Sequence, residues 1–137
     1  MRTLLKYDCF EDDEFEGEYI SDYLDDIAEK IFSKHDTLVI QGNIGRWDGP
    51  QPVTFFLHYP KDFKRFISSQ DSFEICFADN DETISELQRY SEQWSFDADQ
   101  GALIVKQWHH DGCNIFSIFP KNKKGTCGAF TLEEVTV

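Results

Sequence analysis

The sequence predicts an α+β fold: a mainly antiparallel sheet of about five or six strands, one amphipathic helix over roughly 18–35, and one or two short helices. Three observations carry this expectation. Ile20, Leu24, Ile27 and Ile31 recur at helical spacing. "SFEICFA" alternates, with Phe73, Ile75 and Phe77 on one side and Glu74 and Cys76 on the other. Asp111-Gly112 stands between two alternating apolar runs, a strong short-range signal for a hairpin.

Taken in order, "RTLLKYDCF" alternates loosely and reads as a first strand, and "EDDEFEGE" follows as a loop whose like charges repel. In "EYISDYLDDIAEKIFSKH" Tyr23 and Phe32 widen the apolar stripe, while Asp22, Asp25, Asp26 and Glu29 take the other side. Acidic residues early and Lys30, Lys34 and His35 late suit the helix macrodipole. Thr37 to Gln41 reads as a buried strand, after which Gly42, Gly45, Gly49, Pro50 and Pro52 break the backbone. "VTFFLHY" is another strand. After Pro60 comes a short helix, "KDFKRFISS", with Phe63, Phe66 and Ile67 opposite Lys61, Lys64 and Arg65. A further short helix is expected from Glu82 to about Tyr90.

The C-terminal third reads as a meander. With Asp111 and Gly112 as turn residues, His110 pairs with Cys113, His109 with Asn114, Trp108 with Ile115 and Lys106 with Ser117. One face then carries Ile104, Lys106, Trp108, His110, Cys113, Ile115 and Phe119, and the other carries Leu103, Val105, His109, Asn114, Phe116 and Ile118. Both faces are largely apolar, which places this hairpin in the middle of the sheet, covered on both sides. Strand order does not follow from pattern. An exposed edge at the first or last strand leaves monomer and homodimer both open.

With 137 residues the chain has the size of one domain, and an aromatic content of 15% suits a folded chain rather than a disordered one. "MRTLLKYDCF" has no apolar leader core, and no apolar run is long enough to cross a bilayer, so no membrane contact and a cytoplasmic location are expected. Cys9, Cys76, Cys113 and Cys127 lie far apart without a C-x-x-C pair. That spacing fits neither a zinc ribbon nor a disulfide framework, and reduced, mostly buried thiols are expected. "GNIG" lacks the Lys-Ser/Thr of a P-loop and the third glycine of a dinucleotide fingerprint. Asp79, Asp81 and Thr83 start a calcium-loop spacing, but Ile84 stands where glycine is needed and Tyr90 where glutamate is needed. No cofactor and no metal is implied.

Charge is the dominant signal, because 13 basic against 26 acidic residues leave a net of -13. Asp8, Glu11, Asp12, Asp13, Glu14, Glu16, Glu18, Asp22, Asp25 and Asp26 follow one another with no Lys or Arg among them, while "KNKK" at 121–124 forms a basic island. Such a surface repels phosphate backbones and speaks against direct nucleic-acid binding. It suits a basic protein partner, with Glu11, Asp12, Asp13, Glu14, Glu16, Glu18, Asp22, Asp25 and Asp26 as the binding residues. The alternative is a solvated loop and helix face whose acidity serves solubility.

The second candidate site is formed by Trp47, Asp48, His109, His110, Asp111 and Asn114, around two turns. A cysteine beside a histidine can make a thiolate nucleophile, but the pair also needs an oxyanion hole and a group that orients the imidazole, and no motif marks either. His109 and His110 point to opposite faces of a strand and cannot readily chelate one metal. A structural turn accounts for these residue types as well.

"QGNIGRWDG" at 41–49 and "HHDGCNIF" at 109–116 resemble the motifs of a family of small, functionally uncharacterised proteins from Firmicutes and their phages and mobile elements. That family shares a glycine-rich WDG turn and a C-terminal HHDGTN hairpin. The resemblance implies a phage or mobile-element context and marks Trp47, Asp48, Gly49, His109, His110, Asp111, Gly112 and Asn114 as two turns lying close together. Cys113 stands where the family has threonine, which speaks against thiol chemistry. Two functions are therefore expected from different classes. The first is a non-enzymatic binding protein that blocks a host nucleic-acid-binding defence protein, of the anti-CRISPR or antirestriction kind, with carboxylates mimicking phosphates. The second is a small metal-dependent or Cys/His enzyme using the WDG and HHDGCN turns. An accessory interaction domain is a third option.

Overall fold

The computed structural model describes residues 2–8, 14–44, 49, 51–70, 72–79, 100–109 and 112–136, apart from the side chains of 14–18 and 109. The described chain forms six strands and three helices. In order these are β1 Arg2–Asp8, α1 Glu14–Phe32, β2 Thr37–Ile44, β3 Gln51–Leu57, α2 Pro60–Ile67, β4 Ser72–Ala78, β5 Ala102–His109, β6 Gly112–Lys121 and α3 Leu132–Val135. The strands make one antiparallel sheet in the order β1-β4-β5-β6-β2-β3. The β5–β6 hairpin is central, with β1 and β3 at the edges.

Alternation along the central strands gives the sheet two buried faces. On the first, Leu38, Ile40, Phe73, Ile75, Phe77, Leu103, Val105, Phe116 and Ile118 pack with Leu24, Ile27, Ala28 and Ile31 of α1, Phe63 and Ile67 of α2, and Phe130 and Val135 near the end of the chain. On the second, Val39, Cys76, Ala78, Ala102, Ile104, Ile115 and Phe119 form a smaller cluster drawn from strands alone.

Several local expectations are corrected. The acidic run is not a loop throughout, because α1 already begins at Glu14; carboxylates in a first helical turn lie at the positive end of the macrodipole and favour an early start. Gly42 does not end β2, which runs on to Ile44 with Gly42 opposite Val53 on one side and Phe116 on the other. A Cβ at Gly42 would stand 2.5 Å from the Ile115 carbonyl oxygen and 2.6 Å from the Phe116 ring, so glycine is what lets β2 and β6 approach here. The hairpin also closes differently. His109 pairs with Gly112, Trp108 with Cys113 and Gln107 with Asn114, which puts Lys106 opposite Ile115 rather than Ser117. The observed ladder is offset by two residues from the expected one. An even offset leaves every side chain on the same face, so hydrophobic alternation cannot tell the two apart. The expected helix at 82–90 lies outside the described residues. The three described thiols are free, with Cys76 buried, Cys113 half-buried and Cys127 exposed, against the expectation of mostly buried thiols; Cys9 lies outside the described residues.

α2 starts with Pro60 in its first turn, where a missing N–H costs nothing. The end of α2 is held by a side chain from the sheet. Buried Gln107 donates from Nε2 to the carbonyls of Phe66 at 2.6 Å and Ile67 at 3.1 Å, and to the Ser69 hydroxyl at 3.1 Å. α3 opens with a capping box, in which the Glu134 N–H donates to Thr131 Oγ1 and the Thr131 N–H to the Glu134 carboxylate.

Glu134 also ties α3 back to the end of α1. His35 Nε2 lies 2.9 Å from Glu134 Oε2, the His35 ring meets Phe130 edge-on, and Lys30 Nζ donates to the Thr136 carbonyl. Burial pushes the Glu134 carboxyl up, but the His35 hydrogen bond, the Thr131 N–H and the neighbouring His35 and Lys34 charges outweigh it and hold the group below its usual range. A carboxyl lowered in the folded state contributes stability above its unfolded pKa, and that contribution is lost as pH falls through the folded value. Glu134→Gln keeps the reach back to Thr131 but removes the charge. It is expected to cost about 1 kcal/mol near neutral pH and almost nothing in acid. Thermal melts of both proteins across that pH range check this, and an equal gap at every pH would rule out the charge as the source.

Candidate partner-binding surface

α1 turns its apolar stripe to the sheet and its acidic side outward. Leu24, Ile27, Ala28 and Ile31 are buried, whereas Asp22, Asp26 and Glu29 are exposed. Residues three and four apart on a helix are neighbours, so Asp22 adjoins Asp26, and Asp26 adjoins Glu29. Like charges at this spacing repel, and among the described residues none of the three has a basic partner. Asp25 differs. It is half-buried and takes a 3.0 Å ion pair from Lys64 of α2, so one carboxylate of the expected set is spent inside the molecule on joining the two helices.

Glu14, Glu16 and Glu18 lie in the first turns of α1. Glu11, Asp12 and Asp13 lie outside the described residues. The same face carries a feature that the sequence reading missed. Tyr19 is 54% exposed and meets Tyr23 edge-on at 4.5 Å, with their hydroxyls hydrogen-bonded to each other. The Tyr23 hydroxyl pushes the Tyr19 phenol above its ordinary range, so it stays neutral at physiological pH. Tyr19 falls off the apolar stripe while standing among carboxylates, and that is the signal by which it can be found. Exposed tyrosines beside charge are common anchors of protein interfaces.

The second candidate site is only partly in view. Trp47, Asp48, His110 and Asp111 lie outside the described residues. His109 is the last residue of β5, Trp108 is exposed beside it, and Asn114 is buried on β6. The antiparallel β2–β6 ladder brings the end of β2 and the start of β6 to the same end of the sheet.

Two of the described cysteines, Cys113 and Cys76, are held in the thiol form by their surroundings. Burial pushes the Cys113 thiol up, against the opposing pull of Lys106 and the Gln107 backbone N–H. Burial likewise pushes Cys76 up to about 12, reinforced by the Glu74 carboxylate that accepts its S–H at 2.8 Å. Both thiols are protonated at neutral pH, whereas the nucleophile is the thiolate. Among the described residues no three His, Cys, Asp or Glu side chains are placed to hold a metal ion. No described helix is long and apolar enough to cross a membrane.

Compared with protein-family models, with curated proteins and with solved structures, the chain matches none.

Proposed function

We propose that this chain is a small, non-enzymatic binding protein whose acidic α1 face docks on a basic protein, and that the partner is a nucleic-acid-binding defence protein inhibited by mimicry of phosphates. The observation that carries the reading is the exposed trio Asp22, Asp26 and Glu29, without a basic partner among the described residues, beside exposed Tyr19 on a chain of net charge -13. A row of fixed carboxylates attracts an Arg/Lys channel built for nucleic acid, speeding association and making it sensitive to salt. The phage and mobile-element context implied by the WDG and HHDG motifs suits such an inhibitor acting in the cytoplasm.

The test neutralises Asp22, Asp26 and Glu29 together as D22N/D26N/E29Q, leaving the Asp25–Lys64 pair intact. Tagged protein is used to capture partners from a Firmicutes lysate, and a captured nucleic-acid-binding protein is then assayed for DNA or RNA binding. Wild type is expected to retain that partner at low salt, release it at high salt and block its nucleic-acid site. The triple variant is expected to bind at least about tenfold more weakly with an unchanged melting temperature, since each exposed charge makes a modest contribution. Unchanged affinity in the variant would refute the assignment.

A further inference from the structure

Lys121 and Lys123 of the basic island line a cavity of about 440 Å³ at the start of β2. Three adjacent strands build it. Thr37 opens β2, Lys121 closes β6 as its cross-strand partner, and Phe56 and His58 stand where β3 ends. Lys123 and Asp36 complete the lining used here.

Three features single this place out. First, charge reverses here on a strongly acidic protein: among the described residues neither Lys121 nor Lys123 has a carboxylate within ion-pair distance. Second, the backbone that carries Lys123 is shaped by a turn that buries nothing. Asn122 Oδ1 accepts the N–H groups of Lys124 at 2.9 Å and Thr126 at 3.1 Å, its Nδ2 donates to Thr126 Oγ1 at 2.6 Å, and the Gly125 N–H donates to the Asn122 carbonyl at 3.0 Å. Residues 122–129 are all exposed, so these bonds organise a surface rather than a core. Third, Phe56 is an apolar ring left 46% exposed in the cavity wall, with the Lys121 ammonium 4.6 Å from its centroid.

We propose that this cavity binds a small hydroxylated organic phosphate. The phosphate lies on the Lys121 and Lys123 ammonium groups, which as donors suit a dianion. Thr37 Oγ1 lies 3.3 Å from His58 Nδ1; when the hydroxyl donates to that nitrogen, His58 presents Nε2–H as a further donor. The organic body packs on Phe56, and Asp36 accepts a hydrogen bond from a ligand hydroxyl. The volume falls in the range of small-molecule sites. A phosphate polymer is disfavoured because the rest of the surface repels it.

The probe is AMP, with inorganic phosphate and adenosine as the two halves of its chemistry. Each is titrated into the full chain by calorimetry and by amide chemical shift. AMP is expected to bind more tightly than either half, with shifts centred on residues 37, 56–58 and 121–125. K121Q/K123Q is expected to weaken AMP by at least about tenfold while melting as wild type does. F56A is expected to bring AMP down toward phosphate. The proposal is overturned by no saturable AMP binding at millimolar concentration, by shifts centred elsewhere, by phosphate binding as tightly as AMP, or by unchanged affinity in K121Q/K123Q. Shift mapping needs only the wild-type protein, so a variant that fails to fold does not block the test.

Discussion

Replacing Gly42 with alanine is expected to destabilise the protein by about 3 kcal/mol, within the range found when an atom is forced into a packed interior. The sign is informative, because alanine in place of a strand glycine normally stabilises by about 0.5–1 kcal/mol through the unfolded chain. Here the new Cβ would meet the Ile115 carbonyl at 2.5 Å and the Phe116 ring at 2.6 Å. Ile115 lies on β6, which is hydrogen-bonded to β5 on one side and β2 on the other. Its carbonyl therefore cannot swing away without disturbing a ladder. The β2–β3 pair joins the rest of the sheet through β6, so the loss should appear as one cooperative transition. The expected fall in melting temperature is about 10 °C for a chain of this size. A melting temperature equal to or above wild type would mean that β2 and β6 are not as close as the ladder places them.

Gln107→Leu is expected to cost about 2–3 kcal/mol although it keeps the bulk of the side chain in place. α2 ends with carbonyls that have no partner inside the helix, the general condition of a helix C-terminus. The amide of Gln107 reaches two of them from the sheet below. The Phe66 carbonyl keeps the Ser69 hydroxyl at 2.9 Å, but the Ile67 carbonyl has no other described donor. Leucine at 107 leaves that buried acceptor bare. Gln107→Glu is expected to do more damage, because it turns a carboxylate toward three oxygens in a site that is only 2% exposed. Denaturant unfolding should rank wild type above the leucine variant and leucine above glutamate. Equal stability of the leucine variant would show that the amide contacts contribute nothing net.

These two positions also show what a sequence can disclose. The period of Leu24, Ile27 and Ile31 declares a buried helical face, and the alternation in 73–77 and 103–118 declares two buried sheet faces, because both patterns are written in adjacent residues. Hairpin register is not, since slipping by two residues preserves every face. Strand order depends on pairings such as Thr37 with Lys121, which no local pattern encodes. Gly42 reads as a break because glycine marks either a turn or a close approach, and only the neighbouring strand decides which. Gln107 reads as one more polar residue in a strand, since its role depends on where α2 ends. Thr131 to Glu134 carries a capping-box spacing that the sequence reading missed. At the candidate surface the acidic wealth of α1 is plain in the sequence. The withdrawal of Asp25 into a pair with Lys64, thirty-nine residues on, is not.

The place of β6 in the sheet has a consequence for the order in which the molecule can assemble. Within the described sheet, β2 and β3 form one hairpin and β1, β4 and β5 a second group, and the ladder joins the two through β6. During synthesis β2 and β5 each keep an open edge until residues 112–121 have left the ribosome. Loop closures this long make for slow folding, and edges waiting this long invite pairing with other chains. A chaperone that holds emerging chains would thus matter most for this protein in the interval before its sixth strand arrives.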